Sequence, residues 1–340
     1  MNDLRAGIIG VEDYGSQVLK TLGTCDLYKI QAIADKNRDL AREYAQQYDA
    51  RPYDDYRSLI VEEKLDVLFL TIPTYLCGEC ITLAAKSGMH VFKEAPLARS
   101  LPEATQWHDL MEKAGLRFHV SAPYRFAPGF LQANHVLEKE PIGKIYLIRA
   151  ESFGPFPVDF KWRGDPVLAG GGVLLEMAYP MIDQIIWNLG IPERLYSLNA
   201  GFCSKRVLPP YRTEDTAILT MKFPDGAMGN LISGWMAGQE QELLSLYGTE
   251  GTLEVNRNFL RVRDGKGEIV KQNDYQVDEA WLTAQQIRQF GDSIMDSELK
   301  PVSTAREHLA NVAIMESAYL SARTQLPETL KVYGSLLKLS

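Results

Sequence analysis

Gly7-Ile8-Ile9-Gly10-Val11-Glu12-Asp13-Tyr14-Gly15 is the stretch that decides the fold of this chain. An apolar strand over residues 5–9 stops at Gly10, and a helix is expected from Gly15-Ser16 to Gly23. In a G-x-G-x-x-G turn the first glycine permits the tight bend and the third lets helix and strand approach. The middle one lets the backbone come close to a pyrophosphate, and here it is Glu12. A carboxylate beside two phosphates is unfavourable, so Glu12 must turn away if a dinucleotide binds, while the helix N-terminus still offers its positive end. Asp35 closes the next strand, residues 29–34, where it can accept a hydrogen bond from a ribose 2′-hydroxyl. That placement favours NAD. Lys36 and Arg38 follow and can accommodate a 2′-phosphate, so NADP stays open.

Outward from this turn, strand and helix alternate. A helix is expected over 38–48, and Asp54-Asp55 open a short one. Residues 67–71 are apolar without alternation, as suits a parallel strand buried on both faces. A helix then stops at Gly88, a strand runs over 90–92, and Ser100-Leu101-Pro102-Glu103 is a capping box for a helix to residue 114. A strand over 117–120 completes the series. The pattern predicts an α/β class chain, with a doubly wound parallel sheet over residues 1–121. The remaining residues, 122–340, form a second, α+β domain. Strands are expected there over 144–151, 194–200, 216–223, 228–235 and 242–247, with turns at Pro224-Asp225-Gly226 and Asp264-Gly265-Lys266-Gly267. Helices are expected over 174–189, ending at Gly190, and over 304–323, capped by Thr304 with Glu307.

With 340 residues, 46% hydrophobic and 24% charged, the chain can bury two cores. A net charge of -8 with no long basic run excludes nucleic acid as the natural partner. No apolar stretch approaches the ~20 residues of a membrane helix. The N-terminus runs straight into a strand with no room for a signal peptide, so the cytoplasm is expected. Cysteines stand at positions 25, 77, 80 and 203. Cys77-Gly78-Glu79-Cys80 has the spacing of a redox pair or half a zinc site, but no second Cys pair or close His pair supplies further ligands. No metal is expected, and the two thiols are read as packing at the start of a helix.

Several short segments share one further pattern. They are Gly7-Ile8-Ile9-Gly10, Ala32-Ile33-Ala34-Asp35, Gly88-Met89-His90-Val91, Glu94-Ala95-Pro96-Leu97-Ala98 and Arg125-Phe126-Ala127-Pro128. Ile142-Gly143-Lys144, Trp162-Arg163, Gly170-Gly171-Gly172, Ile182-Asp183, Gly248-Thr249-Glu250-Gly251 and the run from Glu316 to Arg323 follow in order. Along almost its whole length the chain thus resembles the Gfo/Idh/MocA family of NAD(P)-dependent oxidoreductases. The resemblance implies that the second domain is an open, mostly antiparallel sheet with helices on one face. It also implies a homo-oligomer, dimer or tetramer, formed through the outer face of that sheet. Substrate and nicotinamide meet between the domains in this family.

The resemblance assigns chemistry to three elements, and this chain departs from each. The lysine of the family's Glu-Lys-Pro is replaced in Glu94-Ala95-Pro96. The family's D-x-x-x-H reads Glu176-Met177-Ala178-Tyr179-Pro180, and its Thr-Pro-Asn-x-x-His reads Ile72-Pro73-Thr74-Tyr75-Leu76-Cys77. Three side chains are candidate catalytic replacements. Lys93 lies on the same side of an extended segment as Ala95, with Cα atoms roughly 6.5–7 Å apart. Its alternative is a lysine with its amine in water. Glu176 would share a helix side with Asp183, two turns on. Tyr179 precedes the lost histidine, with an aromatic packing role as the alternative. Expected cofactor contacts are Gly10, Glu12, Asp13, Tyr14, Gly15, Asp35, Lys36, Ile72, Pro73, Thr74 and Glu94. Expected substrate contacts are Tyr124, Trp162, Arg163 and Asp183, with Arg163 able to grip a carboxylate or phosphate in two-pronged fashion. His90 is read as a packing residue.

Three functions fit these residues. One is an NAD(P)-dependent oxidoreductase with an altered active site, acting on a sugar, polyol or related small polar molecule. Another is a non-catalytic nucleotide- or ligand-binding regulator that keeps the fold. The third is a lyase or hydrolase that uses bound NAD as an internal redox group.

Overall fold

A computed structural model describes residues 3–139, 142–155, 160–202, 211–235 and 238–330. Within them the chain forms two compact units. The first comprises Met1–Ala98, Pro102–Pro123 and Asp278–His308. The second comprises Arg99–Leu101, Tyr124–Val277 and Leu309–Ser340. The segment 278–308 therefore belongs with the N-terminal unit, whereas the division drawn from sequence at 121/122 leaves it in the other domain.

Elements of the first unit follow the alternation of the sequence. They run β1 (Leu4–Ile9), α1 (Tyr14–Thr24), β2 (Tyr28–Ala34), α2 (Arg38–Gln47), β3 (Arg51–Tyr53), α3 (Tyr56–Glu62) and β4 (Val67–Leu70). Then come α4 (Cys77–Ser87), β5 (His90–Lys93), α5 (Leu101–Lys113) and β6 (Phe118–Val120). Stops and starts obey local chemistry. Asn37 and Asp55 cap α2 and α3 through their side chains, and Gly88 ends α4 in the left-handed region at φ 74°. The strands order as β3-β2-β1-β4-β5-β6, all parallel. Strand order reverses between β1 and β4, and the ends of these two strands make the crevice in which such sheets bind ligands.

The second unit is built on a mixed sheet. Its elements are α6 (Pro128–Leu137), β7 (Ile145–Phe153), α7 (Pro166–Ala169), α8 (Val173–Glu176), α9 (Tyr179–Leu189), β8 (Arg194–Ala200), β9 (Thr216–Lys222) and β10 (Met228–Gly234). They continue with β11 (Gln241–Gly248), β12 (Gly251–Asn256), β13 (Phe259–Asp264) and β14 (Ile269–Asp274). Helix α10 (Glu279–Met295) returns to the first unit, α11 (Ala305–Thr324) follows, and β15 (Glu328–Thr329) closes the described chain. Among the described residues the strand order is β14-β13-β12-β11-β7-β10-β9-β8-β15, antiparallel except for β7 beside β10. The turn expected at Asp264 joins β13 to β14, with Gly267 N donating to Asp264 O at 2.9 Å.

One expected element is corrected. The helix read over 174–189 is two helices, α8 and α9, broken at Met177-Ala178. Pro180 explains the break: it has no N–H to donate to the Glu176 carbonyl, and its ring crowds the preceding turn. Proline instead takes its tolerated place in the first turn of α9.

Candidate functional site

The β1–α1 turn is held by contacts that only glycine permits. Gly10 has φ +88°, and a Cβ there would lie 2.7 Å from the Thr71 carbonyl oxygen and from Ile72 Cγ2. A Cβ on Gly15 would run into the Gly10 carbonyl. Thr71 Oγ1 donates to that same carbonyl at 2.6 Å, so β4 and the turn are joined. Asp13 has φ 44° and precedes α1 without capping it through its side chain. Glu12 points outward and pairs with Lys36 at 3.6 Å, which removes the expected clash with phosphate. Arg38 pairs with Asp54 at 2.6 Å.

Asp35 is buried. Its Oδ2 accepts from Val11 N and its Oδ1 from Asn37 N, both at 2.8 Å. Each oxygen keeps a second lone-pair direction, so a ribose hydroxyl can still donate to it. Tyr14 Oη lies 3.1 Å from Ser121 Oγ, and burial pushes its phenol up to about 12. After β4, Pro73 leads a short turn, Thr74–Leu76. A dinucleotide fits this chain, because the glycine cradle, the strand switch and the Asp35 carboxylate stand where it needs them.

The alternative reading of Lys93, an amine in water, is corrected. Its amine is not in water: the residue is 1% exposed. Nζ donates to Pro96 O at 2.7 Å, Glu94 O at 2.8 Å and Thr74 Oγ1 at 3.2 Å. All three of its N–H bonds are engaged, and burial lowers its pKa from the ordinary 10.5. The amine fastens the segment around Ala95 from within. Glu94 N donates to Leu70 O at 3.0 Å, which ties that segment to β4 as well. Nearby, Cys77 and Cys80 are both fully buried at the start of α4, with their thiols against carbonyls. Burial pushes the Cys80 thiol well up. His90 Nδ1 accepts from Arg117 N at 2.9 Å, a packing role. Cys203 lies outside the described residues.

In the second unit Glu176 and Arg163 form an ion pair, each about one-third exposed, and the Arg163 guanidinium lies 4.6 Å over the Trp162 ring. The helix break separates Glu176 from Asp183, so the shared face expected for the two is not formed. Asp183 is buried in a two-pronged pair with Arg125, at 2.8 and 2.9 Å, and also accepts from Asn311 Nδ2 at 3.1 Å. It has no surface to offer a substrate. Tyr179 is buried at the start of α9, 1% exposed. Tyr124 stacks on Phe130 at 5.2 Å with Arg257 over its ring at 5.5 Å, and burial, reinforced by Glu242, raises its phenol pKa.

Sequence reasoning missed the group that holds the start of α8. Glu214 Oε2 accepts from Gly172 N at 2.9 Å, and its Oε1 accepts from Leu174 N at 3.0 Å and Tyr319 Oη at 2.8 Å. Val173 N donates to the Glu214 carbonyl at 2.9 Å. A Cβ on Gly171 would collide with Tyr319 Oη, and one on Gly172 with the Glu214 backbone. The glycine triplet was the available signal; its partner, far along the chain, carried none.

A model described as "Oxidoreductase family, NAD-binding Rossmann fold" matches residues 4–122. Another, described as "GFO/IDH/MocA C-terminal domain", matches residues 130–254. Among curated relatives, the uncharacterized oxidoreductase YrbE of Bacillus subtilis is 26% identical over 250 residues, 72% of each chain. Myo-inositol 2-dehydrogenase of Thermotoga maritima is 24% identical over 253 residues, 74% of each chain. A solved structure of levoglucosan dehydrogenase in complex with NADH and levoglucosan has a TM-score of 0.87 at 20% identity, covering 96% of this chain and 99% of that one. That likeness speaks for the fold. Among the described residues no helix is long and apolar enough to cross a membrane.

Proposed function

Because the chain belongs to the GFO/IDH/MocA family of oxidoreductases, we propose that it is an NAD(P)-dependent oxidoreductase acting on a sugar, polyol or related small polar substrate, with an altered set of acid–base groups. The β1–α1 turn carries this reading: two obligatory glycines and a buried Asp35 frame a dinucleotide site at the strand switch. Relatives that act on myo-inositol and on levoglucosan support the substrate class.

When bound, a nicotinamide supplies the hydride chemistry. The chain must then position a hydroxyl-bearing substrate and manage one proton. Glu176 is the residue for that proton, as a carboxylate with partial exposure, and Arg163 orients it. Trp162 contributes an apolar face beside them. Lys93 acts as a positioning residue, holding the carbonyls of Glu94 and Pro96 on either side of Ala95.

Calorimetric titration with oxidised and reduced dinucleotides, followed by a sugar and polyol screen, tests the reading. Binding of NAD(H) or NADP(H) is expected, with turnover that falls about 10²–10⁴-fold in Glu176→Gln. Absence of all dinucleotide binding would sink it. A second reading, a dinucleotide-binding protein without turnover, is favoured by one observation: Lys93 and Tyr179, two of the three candidate acid–base groups, are sealed from solvent. It prevails if dinucleotide binds and no substrate in the screen turns over.

We also place the chain in a homo-oligomer formed through the second unit's sheet. Leu198 and Ile218 are cross-strand partners, 53% and 39% exposed, and Ile232 continues their row on β10. This apolar row is the surface on which the proposal rests.

A further inference from the structure

We propose that Glu12 selects the dinucleotide: by pairing with Lys36 it withholds the cation that a ribose 2′-phosphate requires, so this chain takes NAD(H) and discriminates against NADP(H). The proposal rests on the reading of the β1–α1 turn as a nicotinamide dinucleotide site.

The argument starts from charge around the end of β2. Two cations stand there, Lys36 and Arg38, and a phosphate on the ribose would need at least one of them. Each is already matched, Lys36 by Glu12 at 3.6 Å and Arg38 by Asp54 at 2.6 Å. Asp35, at the strand end itself, is fixed by the Val11 and Asn37 amides and cannot swing aside without breaking both bonds. Counting Glu12, Asp35 and Asp54 against Lys36 and Arg38, the carboxylates are in excess. A 2′-hydroxyl donates to Asp35 at no electrostatic cost, whereas a 2′-phosphate meets that carboxylate with no unmatched partner among these cations.

Glu12 occupies the position that a dinucleotide fingerprint reserves for glycine. Its side chain is turned from the pyrophosphate position toward Lys36. Any residual effect of its charge on the pyrophosphate is common to NAD(H) and NADP(H), while competition for Lys36 is felt only by NADP(H). The ratio of the two affinities isolates the second effect.

The test is calorimetric titration of the full chain with NADH and with NADPH at low ionic strength. Wild type is expected to bind NADH at least about tenfold more tightly than NADPH. Glu12→Gln frees Lys36 and narrows that gap by about fivefold, a size set by the weakness of exposed ion pairs. Adding Lys36→Met to Glu12→Gln restores the wild-type gap. Both side chains are at least half exposed, so unchanged circular dichroism and melting are expected in each variant. The proposal is overturned if wild type binds NADPH as tightly as NADH, or if Glu12→Gln changes both affinities by the same factor. A narrowed gap that survives Lys36→Met overturns it too. Failure of wild type to bind either dinucleotide is a distinct result, which removes the dinucleotide reading itself.

Discussion

A lysine amine sealed inside a protein must either lose its proton or find acceptors, and Lys93 finds three. Replacing it with methionine leaves the Glu94 and Pro96 carbonyls without their donor, so Lys93→Met should lower unfolding free energy by about 1–3 kcal/mol in urea titrations at pH 7. The pH dependence has a definite sign. Burial lowers the folded-state pKa of Lys93 below the 10.5 of the unfolded chain. Between those two values the unfolded chain holds the extra proton, so the contribution of Lys93 to stability rises with pH across that window. The methionine variant should lack this rise when the titrations are repeated up to pH 10. Asp183 makes the complementary case. Asp183→Ala strands the Arg125 guanidinium in the interior, at an expected cost of about 3–5 kcal/mol by thermal or chemical unfolding. Neither role was legible in the sequence. Spacing can say that Lys93 and Ala95 share a side of a strand, but not that the amine folds back onto main-chain carbonyls.

Helix ends were the most readable elements, because their chemistry is local. Thr304 and Glu307 form the expected reciprocal cap, with Thr304 N donating to Glu307 Oε2 at 2.8 Å and Glu307 N donating to Thr304 Oγ1 at 3.3 Å. The break between α8 and α9 was also written in the sequence, at Pro180, but apolar periodicity across 174–189 concealed it. What local pattern could not supply was the lock on α8. Glu214 gathers the amides of residues 172, 173 and 174 from a segment distant in sequence. Gly171→Ala should therefore act as an overpacking substitution, driving a methyl group against Tyr319 and costing about 1–3 kcal/mol. Because α8 ends at Glu176, a larger loss of turnover than of substrate affinity is expected in steady-state kinetics.

At the scale of the whole molecule, order along the chain and order in space part company. The parallel sheet was legible because its strands are locally apolar and locally stopped. The membership of residues 278–308 in that unit was not, since nothing in an amphipathic helix names its partner. Helix α10 sends Ile287 and Phe290 into the core that holds Phe69 and Phe92, and the Ile287 carbonyl accepts from Tyr28 Oη at 2.8 Å. A fragment ending at residue 123 should accordingly show no cooperative thermal transition by near-ultraviolet circular dichroism. On the outer sheet face, Ile218→Asp should reduce the mass seen by light scattering toward that of one chain while leaving the melting profile cooperative.

The detour of α10 also fixes a timetable. Most of the first unit is made before the second unit's sheet, yet its core lacks a wall until residue 290 has been made. Throughout synthesis of the intervening second unit, the dinucleotide-binding half waits half-built, with aromatic rings that a chaperone could shield. Residues 278–308, made after the second unit's sheet, decide when the first unit is complete.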